Sequence, residues 1–63
     1  MTPDEERWAE ALAVQRQHGK GAPVFVAERI ATLALEGDLP GIRRWKEIAA
    51  RLDALAAASP VLQ

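Results

Sequence analysis

Side chains that could carry out catalysis are scarce in this sequence. His18 is the only histidine, there is no cysteine, and the hydroxyl-bearing residues are Thr2, Thr32 and Ser59. A nucleophile, a general base and an orienting acid cannot be assembled from this set at a convincing spacing. We therefore expect a protein that is not an enzyme, with no catalytic residues, no cofactor and no metal site.

Two short segments have the residue types of a functional motif, but each has a simpler explanation. The acidic run Asp4-Glu5-Glu6 could supply paired carboxylates, yet acidic residues also stabilise the positive end of a helix dipole. Gly19-Lys20-Gly21 lacks both the glycine spacing and the preceding strand of a phosphate-binding loop. We assign both segments to helix boundaries.

Basic side chains are concentrated in the last third of the chain. The net charge is −2 over residues 1–19, −1 over 20–38 and +2 over 39–63. Arg43, Arg44 and Lys46 fall in the early turns of a predicted helix, where the helix dipole disfavours cations. This placement indicates that something compensates for the unfavourable dipole.

Three interpretations of these basic residues remain open. The favoured one is ion pairing, through Arg43–Glu47 and Glu47–Arg51 at a spacing of four residues and through the acids of the first helix. The second is a protein partner, and the third is nucleic acid. A helix-turn-helix reader would need a turn of three or four residues before its recognition helix, and Gly37-Asp38 is shorter.

Length and composition limit the architecture and the setting. A chain of 63 residues can form one small domain, which we place at 1–63. The net charge of −1 creates no field that would draw the chain to nucleic acid or to an anionic membrane. The longest apolar stretch, Ala54 to Ala58, is far too short to span a bilayer. We expect a soluble cytoplasmic protein.

Capping residues and apolar periodicity predict three helices, over about 3–18, 22–36 and 39–58. Thr2 and Pro3 are typical of a helix start, and Gly19 and Gly37 of helix ends. The third helix follows a very tight Gly37-Asp38 turn and should stop at Ser59-Pro60. Because the second helix is apolar over more than half of its circumference, we expect it to be central. The predicted fold is an all-α, compact three-helix bundle.

The three aromatic residues have different expected environments. Trp8 and Trp45 lie on apolar stripes, which favours core positions. Phe25 falls on the polar side of the second helix. It is therefore either exposed beside Arg29 or folded under the turn formed by residues 19–22.

An Arg-Trp-x-Glu segment occurs twice, at an offset of 37 residues. Arg7, Trp8 and Glu10 align with Arg44, Trp45 and Glu47, each in the second turn of its helix. A duplicated helical unit would explain the match. Chance similarity between amphipathic helices is the favoured explanation, because a solenoid needs three or more repeats.

Four segments together resemble a known family. They are Trp8-x-Glu10-Ala11-Leu12, Ala27-Glu28-Arg29-Ile30, Leu33-Ala34-Leu35-x-Gly37-Asp38 and Trp45-x-Glu47-Ile48-Ala49-x-Arg51. Over roughly residues 5 to 55 the chain resembles an uncharacterised family of short, all-helical alphaproteobacterial proteins. The resemblance implies a bacterial cytosolic setting and carries no activity.

The sequence therefore predicts a small non-enzymatic protein–protein interaction or regulatory protein that recognises a partner through a helix face. The candidate partner-binding residues are Phe25, Arg29, Arg43, Arg44 and Arg51. The thin interior also predicts self-association into a homodimer. The alternative is a nucleic-acid-associated regulator that uses the basic residues of the third helix, although we consider nucleic acid a less favoured partner and expect no membrane contact.

Overall fold

The computed structural model describes residues 1–58, and every regular element within them is helical. Helix α1 spans Pro3–His18, a single 3₁₀ turn spans Gly19–Gly21, α2 spans Ala22–Glu36 and α3 spans Leu39–Ala58. The all-α class and the bounds of the three helical segments are confirmed. The predicted stop of the third helix at residues 59–60 lies outside the described residues.

Helix α1 begins with the capping box that the sequence predicts. The Thr2 hydroxyl accepts a hydrogen bond from the Glu5 backbone N–H at 3.1 Å, and the Glu5 carboxylate accepts one from the Thr2 N–H at 2.8 Å. Pro3 follows at the first helical position, where its missing N–H is not needed. These contacts satisfy backbone donors at the start of α1 and so fix where the helix begins.

The junction between α1 and α2 corrects the predicted architecture. No irregular loop separates the two helices, because the 3₁₀ turn continues the helical backbone from residue 3 to residue 36. The described chain is therefore a helical hairpin with a long first arm and α3 as its second arm, rather than a bundle of three separate helices. The first arm is bent at Gly19, whose φ of 52° and ψ of −124° lie outside the helical region. A straight 34-residue helix would be about 51 Å long, whereas the longest dimension of the molecule is 40 Å.

The hairpin closes between α2 and α3 through the tight turn that the sequence predicts. Gly37 adopts the left-handed conformation, with φ 72° and ψ 22°, and its N–H donates to the carbonyl oxygens of Leu33 and Ala34. The Asp38 carboxylate then accepts a hydrogen bond from the Gly41 N–H at 2.9 Å, which satisfies a free donor at the start of α3. Only a residue without a Cβ adopts the Gly37 conformation readily, so the reversal depends on this glycine.

The core lies along α3, and not along α2 as the sequence analysis predicted. Ile48 is 1% exposed and Leu52 is 7% exposed, and α3 packs more extensively against α1 and against α2 than those two pack against each other. The buried cluster is completed by Ala11, Val14, Ala22 and Val26. Leu33 of α2 is also buried, at 5% exposed. Only one side of α2 is covered, since Val24, Ala27, Ala31, Ala34 and Leu35 are exposed. The wide apolar face of α2 is therefore partly exposed to solvent, and α2 is not the central helix.

Candidate functional site

The charged residues that join α1 to α3 form one ion-pair network. Arg7 Nε donates to Glu47 at 2.8 Å, and Arg7 Nη1 donates to Glu10 at 2.8 Å. Glu10 also accepts from Arg44. The chain of contacts therefore alternates in charge from Glu47 through Arg7 and Glu10 to Arg44. We call these four residues the inter-helix network.

Burial strengthens the inter-helix network. The side chains of Arg7 and Glu10 are only 16% and 25% exposed, so solvent screens their interaction less than that of a surface pair. The hydrogen bond from Arg44 lowers the pKa of Glu10 below its ordinary value, and the Arg7 contact acts in the same direction. In return, the hydrogen bond to Glu47, followed by the one to Glu10, raises the pKa of Arg7. The network therefore holds α1 against α3 in its charged form.

The repeated Arg-Trp-x-Glu segment supplies all four members of this network. The arginine of the first copy, Arg7, pairs with the glutamate of the second, Glu47, while Arg44 of the second pairs with Glu10 of the first. The two copies thus bind each other reciprocally. The sequence analysis found the repeat but not this pairing, because the match shows similarity and not proximity.

Arg51 makes a further contact between the same two helices. Its Nη2 donates to Asp4 at 2.6 Å, and its guanidinium lies 5.7 Å from the centre of the Trp8 ring, a cation–π distance. Its Nη1 donates to the Glu47 backbone carbonyl at 3.4 Å. The Arg51 side chain is therefore held by contacts within the molecule.

The predicted pairing through the acids of helix 1 is found, but the pairs predicted within α3 are not. Among residues 1–58, Arg43 forms no ion pair, and Arg51 reaches the backbone of Glu47 rather than its carboxylate. The reason is geometric, since Glu47 is turned towards Arg7 on α1. Arg44 and Arg51 therefore stabilise the fold, whereas Arg43 lies exposed on α3.

Phe25 is half-buried rather than exposed, which agrees better with the predicted position at the turn than with the exposed one. Its ring stacks on His18 with the ring centres 3.9 Å apart, and meets Trp45 edge-on at 5.8 Å. The Arg29 guanidinium lies 5.8 Å from the centre of the Trp45 ring. Phe25 thus packs at the bend between α1 and α2. Arg29 is exposed beside the aromatic cluster of His18, Phe25 and Trp45.

The most exposed apolar surface lies on the side of α2 away from Phe25. Val24 is 62% exposed and Leu35 is 91% exposed, and three exposed alanines connect them along the same face of the helix. We call this surface the outer face of α2; its residues are Val24, Ala27, Ala31, Ala34 and Leu35. The helical wheel had already placed these residues together, but the assumption that α2 is central concealed their exposure.

An open groove runs beside the outer face of α2. It encloses about 170 Å³, and its walls come from both α2 and α3. The lining residues are Pro23, Val26, Ala27, Ile30, Ala49, Leu52 and Asp53. Apart from Asp53, all of these side chains are apolar, so the groove continues the apolar surface of α2 towards α3.

Residues 1–58 also bear on two other kinds of site, a metal site and a membrane-spanning segment. No group of three or more His, Cys, Asp or Glu side chains there is arranged to hold a metal ion. Over the same residues, no helix combines the length and the apolar character that crossing a bilayer requires.

The fold and these surfaces define a class, a small all-helical hairpin with an internally paired charged side and an uncovered apolar side. The chain belongs to a family of unknown function (DUF6961), which matches residues 3–59. No curated protein matches it, and no solved structure matches it. The resemblance to an uncharacterised family is thereby confirmed, and the alphaproteobacterial range stays a prediction.

Proposed function

We propose that this protein is a small non-enzymatic interaction or regulatory module that binds a protein partner through the outer face of α2. The observation that carries the proposal is the exposure of Leu35 and Val24 on a face that is otherwise built from alanine. Contiguous exposed apolar surface on a small domain marks interaction sites. We further infer a bacterial, cytoplasmic setting from the family resemblance.

The shape of this surface favours a helical partner. Ala27, Ala31 and Ala34 leave a low ridge, which allows a second helix to approach closely, and the groove beside it accepts larger side chains. An amphipathic helix would place aliphatic side chains at three- and four-residue spacing along this groove. Arg29 and Arg43 are exposed but lie away from the outer face of α2, since Arg29 is on the Phe25 side, over Trp45, and Arg43 lies beside Leu39, Ile42 and Lys46 on α3. Arg44 and Arg51 are held by α1, so this surface is proposed to bind through its apolar side chains.

Site-specific crosslinking in the host cell tests the proposal. A photoreactive amino acid at position 35 should capture a defined protein, because Leu35 projects from the proposed surface. The matched control places the same group at Ala54, which is exposed on α3. Capture that depends on position 35 and disappears with Ala31→Glu supports the proposal. Identical products from both positions would contradict it.

The alternative function, nucleic-acid-associated regulation, would use Arg43 and Lys46. Both are exposed, and with Leu39 and Ile42 they line a shallow depression on α3. Phosphate contacts release counterions, so nucleic-acid binding would weaken steeply with added salt, unlike binding to an apolar face. A titration of the protein with DNA and RNA at increasing salt distinguishes the two functions.

A further inference from the structure

The groove beside the outer face of α2 has a single charged residue in its wall. Asp53 of α3 lines the groove together with apolar side chains such as Ala27 of α2, and Asp53 is exposed to solvent. The exposed Lys20 lines a neighbouring depression with Asp53, but within residues 1–58 Asp53 forms no ion pair. The α3 side of the groove therefore has a carboxylate without a cation bound to it.

The opposite edge of the outer face is acidic as well. Successive helical residues are about 100° apart, which places Glu28 about 20° beyond Leu35 around α2. Glu28 is exposed and, like Asp53, makes no ion pair in the described part of the chain. The adjacent Arg29 is turned away from this edge, over the ring of Trp45.

The two carboxylates lie on either side of Ala27. Glu28 follows Ala27 along α2 on the edge away from the groove, whereas Asp53 lines the groove with Ala27 on the α3 side. At this level of the helix, the apolar surface therefore has an acid at each edge.

This charge pattern defines the kind of helix that fits the surface. A helix lying along the outer face would bury its apolar stripe and direct the residues that flank the stripe towards Glu28 on one side and Asp53 on the other. Lysine or arginine at these flanking positions would pair with the carboxylates, whereas acidic residues would be repelled. We propose that the partner segment is an amphipathic helix with basic residues on both edges of its apolar stripe. This inference rests on the proposed function and adds the charge of the partner.

A second copy of the same face does not meet this requirement. Two outer faces related by a two-fold axis would bring an acidic edge against an acidic edge, whether the two α2 helices ran parallel or antiparallel. Like charges placed opposite each other disfavour such a pairing. The charge pattern therefore favours a different, basic helix over face-to-face dimerisation.

Selection from a peptide library tests the charge of the partner helix. The probe is a displayed library of helical peptides of about 18 residues, with a fixed stripe of leucine and alanine and with lysine, glutamine or glutamate at the flanking positions. The full chain is the target, and Ala31→Glu removes peptides that bind elsewhere. We expect the unmodified chain to enrich lysine on both edges. Glu28→Lys and Asp53→Lys should each enrich glutamate on the edge that faces the substitution.

The affinities of the selected peptides give the size of the effect. Each charge reversal removes one attraction and adds one repulsion, so a lysine-flanked peptide should bind Glu28→Lys or Asp53→Lys about 2- to 30-fold more weakly at low salt. The difference should shrink as salt is added. Glu36→Lys is the matched control, because it makes the same change in charge at an exposed position of α2 outside the outer face, and it should retain the affinity of the unmodified chain.

The possible contrary results separate this inference from the proposed function. Selected helices with neutral or acidic edges, or with edges that do not respond to charge reversal, would overturn the basic partner and leave the proposed function in place. A library that shows no enrichment over Ala31→Glu would contradict both. Self-association of the unmodified chain in sedimentation equilibrium, abolished by Ala31→Glu, would place a second copy on this face and also overturn the inference.

Discussion

Two surfaces of this hairpin differ in whether their side chains are paired within the molecule: the charged surface between α1 and α3, and the apolar outer face of α2. Between α1 and α3, the inter-helix network pairs each of its charges with an opposite one inside the molecule. On α2, by contrast, Leu35 and Val24 expose most of their apolar surface to water. A charged cluster that looks suited to a partner can therefore be structural, while a row of alanines can be the surface that remains available.

The same contrast explains why Arg43 and Arg44 differ although they are adjacent. Successive positions on a helix are about 100° apart, which turns Arg44 towards Glu10 and leaves Arg43 in solvent. Exposed charges contribute little to stability, whereas those in a partly buried network contribute more. Substitutions on the two sides should therefore have separable effects on stability and on binding.

The largest effect on stability is expected from substitutions in the hydrophobic core. Leu52→Ala should lower the free energy of unfolding by about 2–5 kcal/mol, because the side chain is buried and its removal leaves a cavity. Ile30→Ala should cost less, since Ile30 is only half-buried at the groove. Urea unfolding followed by circular dichroism measures both. Equal and negligible shifts for the two variants would contradict the packing described here.

An intermediate effect is expected from Glu10, at the centre of the inter-helix network. Its folded-state pKa is lowered below the ordinary value of 4.5, first by the hydrogen bond from Arg44. Folding then favours the deprotonated form, so this contribution is fully present above pH 4.5 and is lost as the pH falls below it through the folded-state pKa.

Glu10→Gln should therefore destabilise the protein by about 1 kcal/mol at neutral pH and flatten its acid dependence. Unfolding free energies measured from neutral to acidic pH provide the comparison. Glu28→Gln is the control, because Glu28 lies exposed on α2 outside the network. Parallel pH profiles for the unmodified chain and Glu10→Gln would argue against a stabilising network.

Smaller and unequal effects are expected from the two adjacent arginines. Arg44→Glu removes the pair with Glu10 and should cost roughly 0.2–1 kcal/mol. Arg43→Glu breaks no ion pair, and its small gain from the dipole of α3 is offset by the like charge of Glu47 four residues on, so the stability should change by less than about 0.5 kcal/mol. Thermal melts of both variants, in low and in high salt, measure the difference. Equal losses of stability would contradict the separate roles of the two residues.

The helices of this fold follow from local chemistry that the sequence displays. Thr2, Pro3 and Gly37 define helix ends through capping and backbone preference, so the predicted bounds agree with the structure. The conformation of Gly19 does not follow in this way, because glycine permits both a loop and a bend within a continuous helical backbone. Deciding between them requires the tertiary contacts of α1.

The candidate surfaces were harder to predict, because they depend on which faces meet. Arg44 and Arg51 were predicted as partner-binding residues from an unusual charge position, and only the placement of Asp4 and Glu10 opposite them shows what they bind within the fold. Phe25 lies on the polar side of α2 in the wheel, but the bend brings His18 onto its ring. Apolar periodicity identifies the apolar face of a helix, but it does not show which other element packs against that face.

Partner binding by Leu35→Lys and Arg44→Glu, measured beside their thermal stability, tests the central claim most directly. The partner is the protein crosslinked from position 35, and affinity is measured by titration calorimetry with each variant. We expect Leu35→Lys to change the stability by less than about 0.5 kcal/mol and to abolish binding, whereas Arg44→Glu should lower the stability and retain binding. The reverse pattern, with binding kept by Leu35→Lys and lost in a folded Arg44→Glu, would contradict the assignment of recognition to α2.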